Sequence, residues 1–564
     1  MSAAINQALV IFLAATGSGS FAKKKKGRLM WAVVAVVVVV ALIGSVVAYT
    51  VYNNNQNKIT DIYFYNWWAT DGKIALTKTV AGFHSKYPHY QEVSTLKPGA
   101  GGIAARLAIL DLIQSGHAPN TFQANFGSDM ISYVEAAPHG LNSFVNMTPV
   151  AQSMGLMTNA VPSVIAAGMY NGTMLSLPVD THRASLLYFN PQVLRAHNLS
   201  IPTNLTQLLN ETATLKADGL TPWMVPGNDN GWDQLNLWES IFLSIAGPKL
   251  YDQIPYGTIN LSSPTVQNYI YETNQILLQF TSDNYLGAST LTWSEAISHV
   301  VSGQAAFQVN GNFYVNYAYD YLNTTTYPAI APYTNWTNVS LMEMPFPGTA
   351  NYYNLVIDSV AVPTGPSAKS GLLFAKYFSS YAGQQIFTKW KAVTFYNNVT
   401  KDYYNDPSQW YDYQALLSTP SNDFVMSFPG GLFPSVFSSI DTAFTGLTQG
   451  GASYLSTWNT TFASQMASEK SQWLSANQMG LGFWGTLSNP LGGYMPPWVN
   501  ATASTVHQTT AGSSVVHSVT PMTGRQAPSV SIPALAFSSS DNLMTGTSLL
   551  KAEVSTPSLK QAFD

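Results

Sequence analysis

Apolar and polar positions alternate through ITDIYFYNW, residues 59–67, and aromatic and β-branched side chains fill them, so the stretch predicts a strand. IALTKTVAGFHSKYP, residues 74–88, then shows apolar positions at helical spacing with Pro88 as a stop. HYQEVSTL (89–96) predicts the next strand, GGIAARLAILDLIQSG (101–116) the next helix and TFQANF (121–126) a third strand. Strand, helix, strand, helix, strand implies a mostly parallel sheet covered on both faces. Further along, ASLLYFN (184–190) and NLVIDSVAVP (354–363) read as strands, and 202–219, 235–247, 266–283 and 292–303 as helices. Of these helices, 202–219 begins beside proline, and 292–303 carries Thr292 as a cap with Glu295 three residues on. Residues 370–390 predict an amphipathic helix or helix pair. The class is α/β throughout, without a fixed repeat, and a body of roughly 450 residues exceeds one ordinary core, so two lobes are expected.

One segment breaks this pattern. Residues 29–52 are uncharged and apolar, with Val33–Ala41 apolar on every face, and their 24 residues suffice to cross about 30 Å of hydrocarbon. Lys23, Lys24, Lys25, Lys26 and Arg28 precede the run and would stay on the cytoplasmic side, which places the large domain outside a single-pass anchor in the cell membrane. Cleavage of the run as a signal is the other outcome. The expected order is a basic N-terminus over 1–28, a span over 29–52, a tether over 53–58, the body, and a Ser/Thr-rich extension over 503–564.

Composition narrows the function. With no cysteine, disulfides, thiol catalysis and cysteine-ligated metals are excluded. The sequon N-x-[ST] occurs at Asn146, Asn171, Asn198, Asn204, Asn210, Asn260, Asn323, Asn335, Asn338, Asn398, Asn459 and Asn500, the pattern of a glycosylated surface protein. Residues 53–564 hold 19 basic against 28 acidic groups, which argues against nucleic acid as a partner. Charged residues are only 9% of the chain, where about 25% is usual. That scarcity suits an acidic exterior, where protonated carboxylates would leave an excess of positive groups to repel one another.

No Walker loop, HExxH, GxSxG or dinucleotide fingerprint is present. The GAGG segment, Gly99–Gly102, lacks the Lys-Ser/Thr pair of a phosphate loop, and His182, His299 and the other histidines lie without ligand spacing, so no cofactor or metal is expected. What stands out is aromatic and amide interleaving at strand ends: Trp67 with Trp68, Gln123 with Asn125, Trp232-Asp233-Gln234 followed by Trp238-Glu239, and Asn310 to Tyr314. A sugar needs such company, because its C–H faces lie flat on indole while amides, carboxylates and lysine satisfy its hydroxyls.

A series of motifs carries a resemblance over roughly residues 59–450. It runs through YFYNWWATDGK, FHSKYP, GAGG, NTFQANFG, SLPVDTHRASLLYFNPQVLRAHNLSIPTNLTQLL, GWDQLNLWESIFLSIAG, TWSEAISHVVSGQAAFQVNGNFY, DSVAVPTGPSAKSG and GQQIFTKWKAV. In this order they resemble the substrate-binding proteins of ABC sugar importers, the extracellular solute-binding family that includes archaeal glucose, mannose and galactose binders. The resemblance implies a periplasmic-binding-protein-like fold of type II, with two mostly parallel α/β lobes and a ligand cleft between them. It would place lobe one at 59–180 plus 345–390 and lobe two at 181–344 plus 391–502. By motif match the sugar contacts would be Trp67, Trp68, Gln123, Asn125, Trp232, Trp238 and Asn312, with Asp358 and Lys391 as further polar contacts. Relatives often carry an acidic residue at the position of Lys73, histidine at that of Asn125 and aspartate at that of Asn312, changes that a binder can absorb and an enzyme cannot. The implied partners are a neutral sugar and a two-subunit permease with separate ATPases. A glycan-active enzyme would need paired carboxylates across a cleft, which nothing here pairs; a surface-layer or adhesion glycoprotein would match the sequons and the tail.

Overall fold

Why the chain folds as it does is visible in its first strand. In TDIYFYN, Ile62, Phe64 and Asn66 are buried while Asp61 and Tyr63 face outward, the period of two that a sheet with one covered face demands. The following helix, Gly72–Lys86, buries Ala75, Leu76, Thr79 and Phe83, a stripe at helical spacing, and stops at Tyr87 before Pro88. The computed structural model describes residues 39–40, 42–47, 59–170, 172–329 and 337–481.

Among the described residues nine strands of three or more residues organise the body: β1 (Thr60–Asn66), β2 (Tyr90–Leu96), β3 (Thr121–Asn125), β4 (Ser176–Arg183), β5 (Leu186–Phe189), β6 (Phe307–Asn310), β7 (Met342–Pro345), β8 (Tyr353–Ala361) and β9 (Phe424–Met426). A six-stranded sheet runs β9-β8-β3-β1-β2, with β4 also paired to β8. Its β1, β2 and β3 are parallel, as expected, whereas β8 pairs antiparallel with both β3 and β4. A second, four-stranded sheet holds β6, β5, β7 and the short Tyr327–Pro328 strand. Here the expectation of mostly parallel pairing is corrected: β5 lies antiparallel to both β6 and β7. The physical reason is that β5 and β7 are the ends of two strands that cross between the sheets in opposite directions. β4 passes into β5 through Ala184 and Ser185, and β7 returns to β8 through residues 346–352. Ser185 takes φ +56°, unusual without glycine, and the crossing is tied by Phe346 N donating to Ser185 O at 2.8 Å and Asn354 Nδ2 donating to Ser185 Oγ at 2.9 Å.

Three hydrophobic clusters fill the layers. Ile62, Phe64, Trp68, Leu355 and Ile357 meet Phe374 and Phe378 on one side of the large sheet. Residues 391–426, grouped by sequence with the second lobe, supply Val393, Phe395, Tyr413 and Phe424 to this same core. The largest cluster joins Phe122 and Ile109 to Leu187, Phe307, Trp238, Phe437 and Trp458, and the smallest packs Leu186 and Tyr188 against Ile297 and Val315. The capping box appears as predicted, with Thr292 Oγ1 accepting from Glu295 N and Glu295 Oε2 accepting from Thr292 N at 2.8 Å. Residues 370–390 form a helix pair, Ala368–Phe378 and Tyr381–Phe387, the second capped by Ser380. The sequon asparagines inside the described residues, Asn146, Asn198, Asn204, Asn210, Asn260, Asn323, Asn338, Asn398 and Asn459, are all exposed. Of the apolar run 29–52, residues 39–40 and 42–47 are described and helical; the remainder, like the 503–564 extension, lies outside the described residues. Among the described residues no helix is long and apolar enough to cross a membrane.

Candidate functional site

A cleft with about 790 Å³ of empty space, part of it open to solvent, lies beside the ends of β1 and β4 and the middle of β8, near the N-terminus of the Trp232–Ala246 helix. Three indoles line it, those of Trp67, Trp232 and Trp293. Trp67 follows β1 and is half-buried, while its neighbour Trp68 turns into the core, stacked 9° from parallel on Phe378 at 6.0 Å. Trp232 opens its helix and stacks on Phe313, with ring centroids 5.5 Å apart, and Trp293 meets the edge of the same Phe313. Its Nε1 is buried without a protein acceptor. Between the indoles runs the glycine segment: a Cβ on Gly102 would run into the Trp67 ring and one on Gly101 would crowd Trp232 Nε1, and both backbones have positive φ. The glycines there serve close aromatic approach rather than phosphate binding.

The polar lining comes from the strand ends. Lys391 Nζ donates to Asp71 Oδ2 at 2.6 Å, both facing the cleft. Burial works against the charged ammonium, but Asp71, Asp180 and Asp358 outweigh it and hold the Lys391 pKa above its ordinary value. Asp358 Oδ2 accepts from Trp68 Nε1 at 2.8 Å; burial works against its charge, yet hydrogen bonding to His182 and the Lys391 charge hold it below the usual carboxylate range. Behind it, burial and then the Asp358 charge push the Asp180 carboxyl up to about 7. Asp358 lies opposite Asn125 on β3 and Asp180 on β4, and the β4–β8 register shifts just after it, the kind of local irregularity that re-aims side chains at a site. From the far side, Tyr321 Oη donates to Thr70 O at 2.9 Å, tying the Phe313–Leu322 helix to the cleft lip.

Of the expected contacts, Trp67, Asn125, Trp232, Asp358 and Lys391 converge on this cleft. The others stand behind it. Gln123 Oε1 accepts from Trp67 N at 3.0 Å, so it orients that residue's backbone. Asn312 Oδ1 contacts His182 Nδ1 at 2.9 Å. Trp238 is a core residue, stacked on Phe242 and donating Nε1 to Asn274 Oδ1 at 2.7 Å. Sequence reasoning passed over His182, Asp71, Asn236 and Trp293, which all line the cleft. For His182 the missed signal was Asp180-Thr181-His182, two chemistry-bearing residues on one face of a strand; for Asn236 it was the four-residue step from Trp232.

The comparisons with known proteins agree with this architecture. Residues 69–365 match the family described as bacterial extracellular solute-binding protein. The glucose-binding protein GlcS of Saccharolobus solfataricus is 48% identical over 440 residues, 78% of this chain and 79% of that one. The xylose/arabinose-binding protein XacG of Haloferax volcanii is 21% identical over 391 residues, 67% of this chain and 79% of its own. Maltose-bound MalE3 of T. maritima superposes with a TM-score of 0.55 at 14% identity, covering 72% of this chain and 99% of that one, which shows the fold. The chain belongs to the bacterial extracellular solute-binding protein family.

Proposed function

We propose that the cleft captures a neutral sugar, a glucose-like monosaccharide or a short oligosaccharide, and that the protein hands it to the permease of an ABC importer whose ATPases are separate chains. One observation carries the reading: three indoles and a set of carboxylate, ammonium and amide groups line one cleft and offer flat faces and hydrogen-bonding partners together. The relative at 48% identity is named a glucose-binding protein, which supports the hexose. The lobes built on the six- and four-stranded sheets would close on the sugar and present the surface that the permease reads. The run 29–52 would anchor the protein beside that permease, raising its effective concentration there, with N-glycans on exposed sequons. Calorimetric titration of the full-length protein with glucose, galactose, mannose, xylose and maltose tests the proposal. It expects one sugar bound at one site per chain; a folded sample that takes up none of them refutes it.

A further inference from the structure

At the floor of the cleft the side chains of Asp180, His182 and Asp358 face one another. His182 Nδ1 lies 2.9 Å from Asn312 Oδ1, a carbonyl oxygen that can accept from it. Its other ring nitrogen, Nε2, lies 3.5 Å from Asp180 Oδ2 and 3.7 Å from Asp358 Oδ2. All three residues are buried, and neither oxygen of Asp180 has a hydrogen-bond partner. Asp180 and Asp358 are also direct cross-strand partners, an arrangement of like charges that a sheet tolerates only with compensation.

The distances discriminate between two kinds of compensation. Separations of 3.5 and 3.7 Å are long for hydrogen bonds, which favour about 2.7–3.2 Å. They are close to the edge of a coordination tetrahedron, about 3.3–3.6 Å for metal–ligand bonds of about 2.0–2.2 Å. One ligand atom from each residue lies within 4.8 Å of the others. Outer contacts are also in place: Asn312 Oδ1 lies 2.9 Å from His182 Nδ1, and Trp68 Nε1 holds Asp358 Oδ2 at 2.8 Å. Charge points the same way, since Asp71, Asp180 and Asp358 face the single ammonium of Lys391, which Asp71 already engages.

We propose that Asp180, His182 and Asp358 bind a divalent first-row transition ion at the cleft floor. His182 and Asp358 line the cleft whereas Asp180 lies behind them, so the open coordination position faces the space where ligand binds. The nitrogen and oxygen donors suit Zn²⁺ or a neighbouring ion, and Zn²⁺ is the natural probe. This inference shares Asp358 and the cleft with the sugar reading, and titration of the ion in the absence of sugar tests it separately.

The test uses full-length protein freed of metal by dialysis against a chelator and titrated calorimetrically with Zn²⁺ in the absence of sugar. One ion per chain is expected, with affinity falling at least tenfold in Asp180→Asn and in His182→Gln. His197→Gln, which removes the exposed His197–Asp218 pair, should leave it unchanged. Because a buried substitution can unfold the chain, Co²⁺ added to the wild type provides a second readout, with intense visible bands of a four-coordinate nitrogen and oxygen site expected. A Co²⁺ spectrum of the aqua ion, or Zn²⁺ binding that follows His197 rather than His182, overturns the proposal.

Discussion

Replacing Trp232 by alanine removes one of the three indoles of the cleft, and the structure sets the scale of the effect. The indole is 6% exposed, stacks on Phe313 and keeps Nε1 buried without a protein acceptor, so what it offers a bound sugar is the ring face away from Phe313. A desolvated aromatic platform contributes about 1–3 kcal/mol to binding, which corresponds to roughly a 5- to 150-fold loss of affinity. The same truncation opens a cavity, and Trp→Ala in a core costs about 3–5 kcal/mol of stability, so Trp232→Phe is the companion variant. Phenylalanine keeps the stacking on Phe313 and a smaller ring face, which predicts a smaller loss, about 1 kcal/mol. Calorimetry with glucose at a temperature where both variants remain folded by circular dichroism ranks them. If both variants bound with wild-type affinity, the assignment of Trp232 as a sugar platform would be wrong.

Three further outcomes are expected. Burial pushes the Glu239 carboxyl up to about 7 despite donors from Phe428 N, Tyr251 and Ser427; a raised pKa stabilises the fold fully below about pH 4.5 and loses that contribution as pH rises through 7. Glu239→Gln should therefore flatten the decline in denaturant midpoint between pH 4 and 8, by on the order of 3 kcal/mol, and an unchanged slope would remove Glu239 from the account. Lys391→Met leaves half-buried Asp71 without its partner and removes the cation facing buried Asp180 and Asp358, and denaturant unfolding should show a loss of about 3–5 kcal/mol; a loss below 1 kcal/mol would mean the group is solvated. Gly102→Ala forces a side chain at φ +74° into the Trp67 ring, so sugar affinity should drop while far-UV circular dichroism is kept, and unaltered calorimetry would show that Trp67 is not held by this glycine.

How far the chain discloses this arrangement depends on where each signal lies. The early strands and helices were legible because Ile62, Phe64, Ala75, Leu76 and Phe83 obey strand and helix periods within single elements. β4 was not, since SLPVDTHR is buried on both faces yet carries Pro178, Asp180, His182 and Arg183, and no apolar pattern marks it. The paired tryptophans divided as neighbours on an extended segment must, one into the core and one outward. Trp232 and Trp238 were read as one cluster, but six residues at 100° per residue put them on different sides of the helix, whereas Asn236 at four residues shares the Trp232 face and donates Nδ2 to its carbonyl at 2.9 Å. His182 stayed hidden for a topological reason: Asp358 reaches it only through a strand that returns 176 residues later and a bulge that sets its direction.

Crystals of the full-length protein grown with glucose would probe the central claim directly. The account predicts density for one pyranose in this cleft, with a ring face on Trp67 or Trp232 and hydroxyls within hydrogen-bond distance of Lys391, Asp358 or Asn125. Density for the sugar at any other place, or a cleft holding only solvent at saturating glucose, would contradict it.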